Sequence, residues 1–345
     1  MAQPLRVRGR EGVIGLTDKE RGVSVDISVV VPICNERETL PSLYERLVGS
    51  LGPLDRSYEI IFVNDGSTDD SLIILKRFHQ QDPRVRVISL SRNFGHQISL
   101  SAGLQYASGR AVILMDGDLQ DPPEILAALL AKLEEGWDIV YAVRKKRKEH
   151  YVKRVCYWAF YRLLALVARP PIPMDAGDFS VLSRRAATLL NRMPERTRFV
   201  RGLRSWIGLK QTAFEYERDR RVLGSPKYTP WRLLLLALDG MAAFSYAPLR
   251  VASLVGILLA GLSVLGIVTF CYLRIFTSIF IPGYTSMIIA ILALGAMQLL
   301  TIGILGEYVG RIYEEVKQRP LYIVDELLGL RELPQVDAPR GSTLE

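Results

Sequence analysis

Short apolar runs alternate with amphipathic segments in the first part of the chain. Runs rich in Val, Ile and Leu predict five buried strands, at 26–32, 58–63, 85–90, 111–115 and 138–142. Apolar residues at helical spacing predict helices between them, at 38–51, 69–80, 97–107 and 124–135. Because strands alternate with helices, we expect an α/β fold with a Rossmann-like mixed, mostly parallel sheet.

The pattern changes after residue 143, where longer apolar segments begin. The segments 153–169 and 230–248 mix apolar and aromatic residues with charges, which predicts interfacial amphipathic helices. The segments 252–273 and 287–305 are nearly free of charge and long enough to cross a hydrocarbon core of roughly 30 Å. We therefore predict two transmembrane helices. Basic residues flank them on one side, so the positive-inside rule predicts a two-pass integral protein of the inner or plasma membrane, with its α/β domain and both termini in the cytoplasm.

These patterns divide the chain into five parts. Residues 1–24 are charged and lack the apolar region of a secretory signal, so we predict a disordered N-terminal extension. The other parts are a cytoplasmic α/β domain at 25–229, juxtamembrane interfacial helices at 230–248, two transmembrane helices at 249–310 and a cytoplasmic C-terminal tail at 311–345.

Composition agrees with a membrane protein. Among 345 residues, 49% are hydrophobic, and the mean hydropathy of +0.16 is high for a wholly soluble chain. With such a composition, the net charge of +8 indicates contact with anionic lipid rather than with nucleic acid, for which no binding motif is present. Three scattered cysteines do not form a disulfide framework and indicate a reducing compartment.

Polar clusters follow four of the predicted strands. In parallel sheets, ligands bind at the carboxyl ends of the strands, so these clusters predict one binding rim. The chain has neither G-x-G-x-x-G nor G-x-x-x-x-G-K-[ST], so we expect a metal rather than a glycine loop to neutralise bound phosphates. The rim residues are Asn35, Glu36, Asp65, Arg92, Asn93, Asp116 and Asp118.

The segment 116–120, DGDLQ, is the candidate metal site. If the chain is extended there, Asp116, Asp118 and Gln120 point the same way and converge. Oxygen ligands of this kind suit Mg²⁺ or Mn²⁺ bound to a diphosphate. Gly117 allows a close approach to the backbone. The alternative interpretation is an acidic turn that only ends a strand.

Further candidate residues lie later in the chain. A solvated surface loop is one interpretation of the basic run 144–148, and the segment 198–204 is rich in arginine. Asp178 belongs to a second acidic segment, and Ser183 is predicted to cap a helix at 183–190. The polar loop 217–228 is a candidate lid over a phosphate site.

Seven stretches in this order resemble a known family: VVVPICNE, FVNDGSTD, LSRNFGHQ, MDGDLQDPP, DAGDFSVLSR, RFVRGLRSWIG and GSPKY. From about residue 27 to 321, the chain resembles family 2 glycosyltransferases with the GT-A fold, of the polyprenyl-phosphate type. That group includes dolichol-phosphate mannose synthases and bacterial bactoprenol glucosyltransferases. The resemblance implies a nucleotide-sugar donor, most simply a UDP-sugar, and a polyprenyl phosphate acceptor such as undecaprenyl phosphate.

The resemblance also implies roles for individual residues. Asp178, Asp118 and Arg201 are the implied catalytic residues, and Asp116, Asp118 and Gln120 would hold Mg²⁺ or Mn²⁺. The implied acceptor-phosphate residues are Arg144, Arg147 and Arg201, whose guanidinium groups can form paired hydrogen bonds to phosphate oxygens. The implied nucleotide-sugar contacts are Pro32, Asn35, Glu36, Asp65 (to the uracil imide), Gly66, Ser67, Arg92, Asn93, Asp116, Gly117, Asp118 and Lys227.

The implied reaction is an inverting transfer of a sugar, with glucose favoured and mannose, galactose or an amino sugar as alternatives. Asp178 is either a base or sugar-orienting group, or a structural partner of an arginine such as Arg201. A processive polysaccharide synthase is disfavoured, because Arg204-Ser205-Trp206 does not match its Q-x-x-R-W signature. A non-catalytic membrane scaffold is the other alternative. Glycines at 256, 261, 295 and 303 suit packing between subunits, which favours a homo-oligomer with a tetramer as the working hypothesis.

Overall fold

The structure is a computed structural model. It describes residues 25–144, 176–196, 198–216 and 283–332, together with short stretches between 256 and 276. Several predicted features lie outside the described residues: the extension 1–24, both interfacial helices, the lid loop, Arg147 and Lys227.

One eight-stranded sheet forms the centre of the fold, with the strand order β7-β5-β6-β4-β1-β2-β3-β8. The pairs β1–β2, β1–β4, β2–β3 and β5–β7 are parallel, whereas β6 and β8 pair antiparallel with their neighbours. The five predicted strands and the mixed, mostly parallel sheet are confirmed. The strands are β1 Ile27–Ile33, β2 Tyr58–Asn64, β3 Val85–Leu90, β4 Ala111–Leu114, β5 Ile139–Arg144, β6 Ala176–Ser183, β7 Gln211–Tyr216 and β8 Val324–Leu328.

Helices cover both faces of this sheet. In α1, the four leucines at helical spacing are all fully buried against the sheet, and burial of each contributes roughly 1.5–3 kcal/mol. Ser183 caps α5 as predicted, since its hydroxyl accepts a hydrogen bond from the backbone N of Ala186. The helices are α1 Leu40–Leu51, α2 Ser71–Gln81, α3 His96–Tyr106, α4 Leu126–Glu134, α5 Arg184–Arg192, α6 Val200–Trp206 and α7 Tyr284–Lys317.

The segment after α7 joins the sheet. Strand β8 pairs antiparallel with β3, and Lys76 forms a salt bridge of 2.6 Å with Glu326. The hydroxyl of Tyr322 donates to Oε1 of Gln105 at 2.6 Å. Part of the segment assigned to a tail at 311–345 therefore completes the α/β sheet.

The two predicted transmembrane helices are not supported by the structure. The first, at 252–273, lies largely outside the described residues, and the second, at 287–305, lies within α7. Within the described ranges, no helix combines the length and the apolar character that a membrane crossing requires. The later part of α7 is charged, with Glu307, Arg311, Glu314, Glu315 and Lys317.

Candidate active site

The carboxyl ends of β4, β1, β2 and β3 are neighbours, because these strands are adjacent in the sheet. The turns after β1 and β2 are joined directly. Oδ1 of Asn35 accepts from the backbone N of Thr68 at 2.8 Å, and the hydroxyl of Ser67 accepts from the backbone N of Asn35 at 3.1 Å. Asn35 adopts a φ of 57°, a left-handed conformation that asparagine tolerates better than most residues. The turns after β1 and β2 are therefore held together at one edge of the sheet.

Asp65 is buried beneath this rim. Its Oδ1 accepts from the backbone N of Phe94 at 2.7 Å, and its Oδ2 accepts from the backbone N of Gly95 at 3.0 Å. Asp65 thus holds the turn that leads into α3. The contact with uracil that the resemblance implies stays a prediction, and in this structure the carboxylate is a fixed part of the loop.

Two glycines let the rim segments pack closely. Gly66 has a φ of +61°, and a Cβ placed there would lie 2.5 Å from the carbonyl carbon of Arg92 and from the backbone N of Asn93. A Cβ on Gly117 would lie 2.7 Å from Cδ1 of Ile33. The close approach expected at Gly117 is therefore made by the end of β1.

The backbone of the segment 116–120 is not extended, contrary to the geometry that the sequence analysis assumed. Leu119 has a φ of 59°, and Oδ1 of Asp118 accepts from the backbone N of Gln120 at 3.1 Å, so the chain turns here. The turn is anchored just beyond, where the hydroxyl of Tyr216 donates to buried Asp121 at 2.6 Å. The side chains of Asp116, Asp118 and Gln120 therefore do not alternate as in an extended strand, and the expected convergence is not formed.

Asp116 lies beside a histidine that the sequence analysis did not single out. Nε2 of His96 lies 3.3 Å from Oδ1 of Asp116 and 3.4 Å from Oδ2 of Asp178. Burial raises the pKa of Asp116 to about 6, and the nearby carboxylates of Asp121, Asp178 and Asp118 add to this effect while His96 opposes it. Burial alone would lower the pKa of His96, but Asp178 and Asp116 outweigh it and raise that pKa.

Asp178 is held by two further side chains. Nε of Arg201 donates to Oδ1 at 2.8 Å and Nη2 of Arg201 donates to Oδ2 at 2.9 Å, while Nε2 of Gln97 donates to Oδ2 at 2.9 Å. The side chain of Asp178 is only 2% exposed. Burial alone would raise its pKa, but hydrogen bonds from His96 and Arg201 outweigh burial and hold the pKa of Asp178 well below its usual range. Asp178 is therefore a stable anion.

A buried arginine lies next to this pair. Arg204 is 1% exposed, its guanidinium carbon lies 5.1 Å from the centre of the Tyr141 ring, and its Nη2 is 3.5 Å from the carbonyl of Gly177. Its Nε and Nη1 have no hydrogen-bond partner in the part of the chain that the structure describes. Burial lowers the pKa of Arg204 to about 10.

The other predicted residues are dispersed around the rim. Pro32 lies within β1 and Arg144 ends β5. Arg92 is exposed and stacks on Phe94, with its guanidinium carbon 4.1 Å from the ring centre, and Nδ2 of Asn93 donates to the sulfur of Cys34 at 3.2 Å. Thr39 donates to Oε2 of Glu36 at 2.9 Å.

The acidic side chains fit a divalent cation. Oδ1 of Asp116 is buried and accepts no hydrogen bond from any described residue. Ligand atoms from His96, Asp116 and Asp178 all lie within 4.8 Å of one another. Carboxylate oxygens are the ligands that Mg²⁺ and Mn²⁺ prefer, so Asp116 suits such an ion. Both oxygens of Asp178 already accept hydrogen bonds.

Comparison with known proteins identifies the family. The model of the family named Glycosyl transferase family 2 matches residues 28–189. An uncharacterized glycosyltransferase of Bacillus subtilis, YkcC, is 45% identical over 307 residues, which cover 89% of this chain and 95% of that protein. The chain belongs to glycosyl transferase family 2.

Two further proteins are similar to this glycosyltransferase. The SfII prophage-derived bactoprenol glucosyl transferase of Shigella flexneri is 42% identical over 304 residues, which cover 86% of this chain and 97% of that protein. The solved structure of glucosyl-3-phosphoglycerate synthase from Mycobacterium tuberculosis, in complex with Mn²⁺, UDP and glucosyl-3-phosphoglycerate, is 23% identical with a TM-score of 0.45. That match covers 63% of this chain and 78% of the other. Family membership supports the GT-A-like mixed sheet fold.

Proposed function

We propose that this glycosyltransferase moves glucose from UDP-glucose to the phosphate of a polyprenyl phosphate, with undecaprenyl phosphate as the simplest acceptor. The similarity to bactoprenol glucosyl transferases over most of the chain supports the sugar and the lipid. One observation from the geometry supports a phosphate acceptor: both carboxylate oxygens of Asp178 already accept hydrogen bonds.

This observation bears on the chemistry of the acceptor. A hydroxyl acceptor needs a base to remove its proton, and a carboxylate with a depressed pKa is a poor base. A phosphate monoester, with a second pKa near 6, is already largely ionised at neutral pH and needs little deprotonation. The state of Asp178 therefore favours a phosphate acceptor, with Asp178 as an orienting group rather than a general base.

The reaction is a single displacement. An oxygen of the lipid phosphate forms a bond to the anomeric carbon, on the face opposite the nucleotide. The bond from that carbon to the diphosphate oxygen breaks, and its electron pair leaves with UDP. An α-linked nucleotide sugar thus yields a β-linked lipid phosphate sugar.

Different residues of this chain would bind the nucleotide, the diphosphate and the acceptor. The rim formed by Asn35, Ser67 and the Phe94–Gly95 turn would position the nucleotide, and Arg201 would orient the anionic groups near Asp178. Mg²⁺ or Mn²⁺ bound at Asp116 would neutralise the charge of the diphosphate, and Asp118 and Gln120 stay predicted ligands of that ion. Lys227, Arg144 and Arg147 stay predicted phosphate contacts.

The acceptor implies that the protein acts at a membrane surface. Large apolar side chains of α7 support this location, because Ile291, Leu299 and Ile302 are 61%, 72% and 62% exposed. Exposed apolar surface of this kind indicates contact with lipid or with another protein.

The test is a transfer assay with the full-length protein in vesicles that contain undecaprenyl phosphate. Radiolabelled UDP-glucose, UDP-galactose, UDP-N-acetylglucosamine and GDP-mannose are supplied separately with Mg²⁺ or Mn²⁺, and label in the lipid phase is measured. We expect label from UDP-glucose, and none after EDTA or in Asp118→Ala. Label from a different sugar alone would revise the donor, and no label from any donor would refute the proposed function.

A further inference from the structure

Gln97 lies where three elements of the candidate site meet. From α3, its Nε2 donates to Oδ2 of Asp178 on β6 at 2.9 Å, and its Oε1 accepts from the backbone N of Val200 on α6 at 2.8 Å. We propose that Gln97 is a positioning residue for the transfer reaction, which sets the orientation of Asp178 and of the helix start that carries Arg201. This inference rests on the function proposed above.

The amide of Gln97 can satisfy both contacts in only one orientation. Its NH₂ group faces a carboxylate, which only accepts, and its carbonyl faces a backbone N–H, which only donates. Rotation of the amide by half a turn would place the carbonyl against the carboxylate and lose both hydrogen bonds. The two hydrogen bonds therefore fix the orientation of the side-chain amide.

The contact with Val200 controls the start of α6. The first N–H groups of a helix have no partner within the helix, and Gln97 supplies one for Val200. Arg201 is the next residue, and its guanidinium reaches Asp178 from the same helix turn. A shift of this helix start would move the guanidinium relative to the carboxylate.

Gln97 also connects this pair to the nucleotide rim. The backbone N–H groups of Phe94 and Gly95 donate to Asp65, and α3 begins at the following residue. Asp65 is thus connected to Asp178 through the Phe94–Gly95 turn and the side chain of Gln97. The position of Asp178 relative to the nucleotide is set by this connection.

The experiment compares Gln97→Leu with Gln105→Leu in the full-length protein in vesicles. Gln105 lies on the same helix, and its Oε1 accepts from Tyr322 at the exposed side of the domain. We expect Gln97→Leu to lower kcat by about tenfold to a hundredfold, as for other losses of alignment at the reacting groups. The KM for UDP-glucose, the Kd for UDP and the thermal unfolding midpoint should stay close to those of Gln105→Leu, whose kcat should match the unsubstituted protein.

A second variant, Gln97→Glu, keeps the shape of the side chain. At pH 8 an ionised glutamate can still accept from Val200, but it cannot donate to Asp178 and repels it. We expect the same selective loss of kcat with UDP binding retained. The inference would be overturned if Gln97→Leu or Gln97→Glu still binds UDP and has a kcat within twofold of the Gln105→Leu control. Loss of UDP binding in both Gln97 variants would overturn it as well. Absence of transfer by the unsubstituted protein would instead refute the proposed function.

Discussion

Arg201 donates two parallel hydrogen bonds to Asp178, from Nε to Oδ1 at 2.8 Å and from Nη2 to Oδ2 at 2.9 Å. Paired bonds between a guanidinium and a carboxylate fix both distance and angle. The Asp178 side chain is 2% exposed and that of Arg201 is 37% exposed, so the pair reaches from the sheet to the surface of the candidate site. The arginine is thereby held in one orientation, which the proposed transfer to a phosphate would use.

Arg201→Lys tests this fixed orientation. Lysine keeps the charge but cannot form the two parallel bonds, so we expect kcat to fall by about tenfold to a hundredfold. UDP affinity, measured by calorimetry, should change by less than about threefold, because the nucleotide rim is untouched. Arg185→Lys, at an exposed position of α5, is the control and should behave as the unsubstituted protein. Equal activity of the two variants would show that charge alone suffices.

Metal affinity should depend on pH because the pKa of Asp116 is raised to about 6. A proton on Asp116 competes with the cation, so affinity falls as pH drops through 6 and levels off above it. For a pKa of 6, Mn²⁺ should bind about tenfold more weakly at pH 5 than at pH 7, as titration calorimetry can measure.

A protonated His96 also opposes the cation, so the measurement is repeated in His96→Ala, where the remaining dependence belongs to Asp116. Asp55→Asn, at the turn after α1, should leave the profile unchanged. A profile that is flat between pH 5 and 7 in both proteins would show that Asp116 has an ordinary pKa or does not bind the ion.

Gly66→Ala should destabilise the protein through a clash as well as through its backbone conformation. Gly136 is the matched control, since its φ of +97° is also positive but a Cβ there meets nothing within 4 Å. We expect Gly136→Ala to lower the free energy of unfolding by about 1–2 kcal/mol, and Gly66→Ala by about 1–3 kcal/mol more. Chemical denaturation of both variants measures the difference. Equal losses would mean that the Arg92–Asn93 backbone moves aside without cost.

Arg204→Met should lower activity without lowering stability. The Arg204 guanidinium is buried with two nitrogens that have no partner among the described residues, and a buried charge of this kind is costly. We expect the variant to unfold at the same or a higher temperature, with a gain of about 1–4 kcal/mol at most. Its kcat should fall by about tenfold or more, because a positive charge beside Arg201 and Asp178 stabilises anionic groups there.

Arg84→Met is the control for this experiment, and its expected effects on stability and kcat are the reverse of those of Arg204→Met. Arg84 pairs with Asp82 at 2.9 Å, far along the sheet from Asp178, so its loss should cost some stability and leave kcat unchanged. A lower unfolding temperature for Arg204→Met with unchanged kcat would assign Arg204 a purely structural role.

The first five strands could be predicted because buried strands give runs of apolar residues, such as the continuous runs 60–63 and 111–115. Strand β6 could not, because it begins in the polar stretch Ala176-Gly177-Asp178 and is defined by pairing with β4 and β5. Strand β8, VDELL, is short and acidic and lies at an edge, so only its long-range pairing with β3 reveals it.

The candidate site was predictable to a similar extent. Polar residues at strand ends could be found by position, which gave Asp65, Asp116 and their neighbours. His96 and Gln97 were missed because their importance comes from contacts with Asp178, 81 positions beyond Gln97 in the sequence. One signal did exist: both residues directly follow the polar turn after β3, at the same edge of the sheet as the predicted rim.

Strand β8 has a practical consequence for anyone who shortens this chain. It covers β3, which would otherwise expose a row of unpaired backbone groups. Free sheet edges recruit strands from other molecules, so a truncation before residue 324 would cause aggregation rather than a clean loss of catalysis. Loss of yield in such a truncated protein would then say nothing about catalytic residues, and affinity tags are better attached beyond residue 332 than in place of this strand.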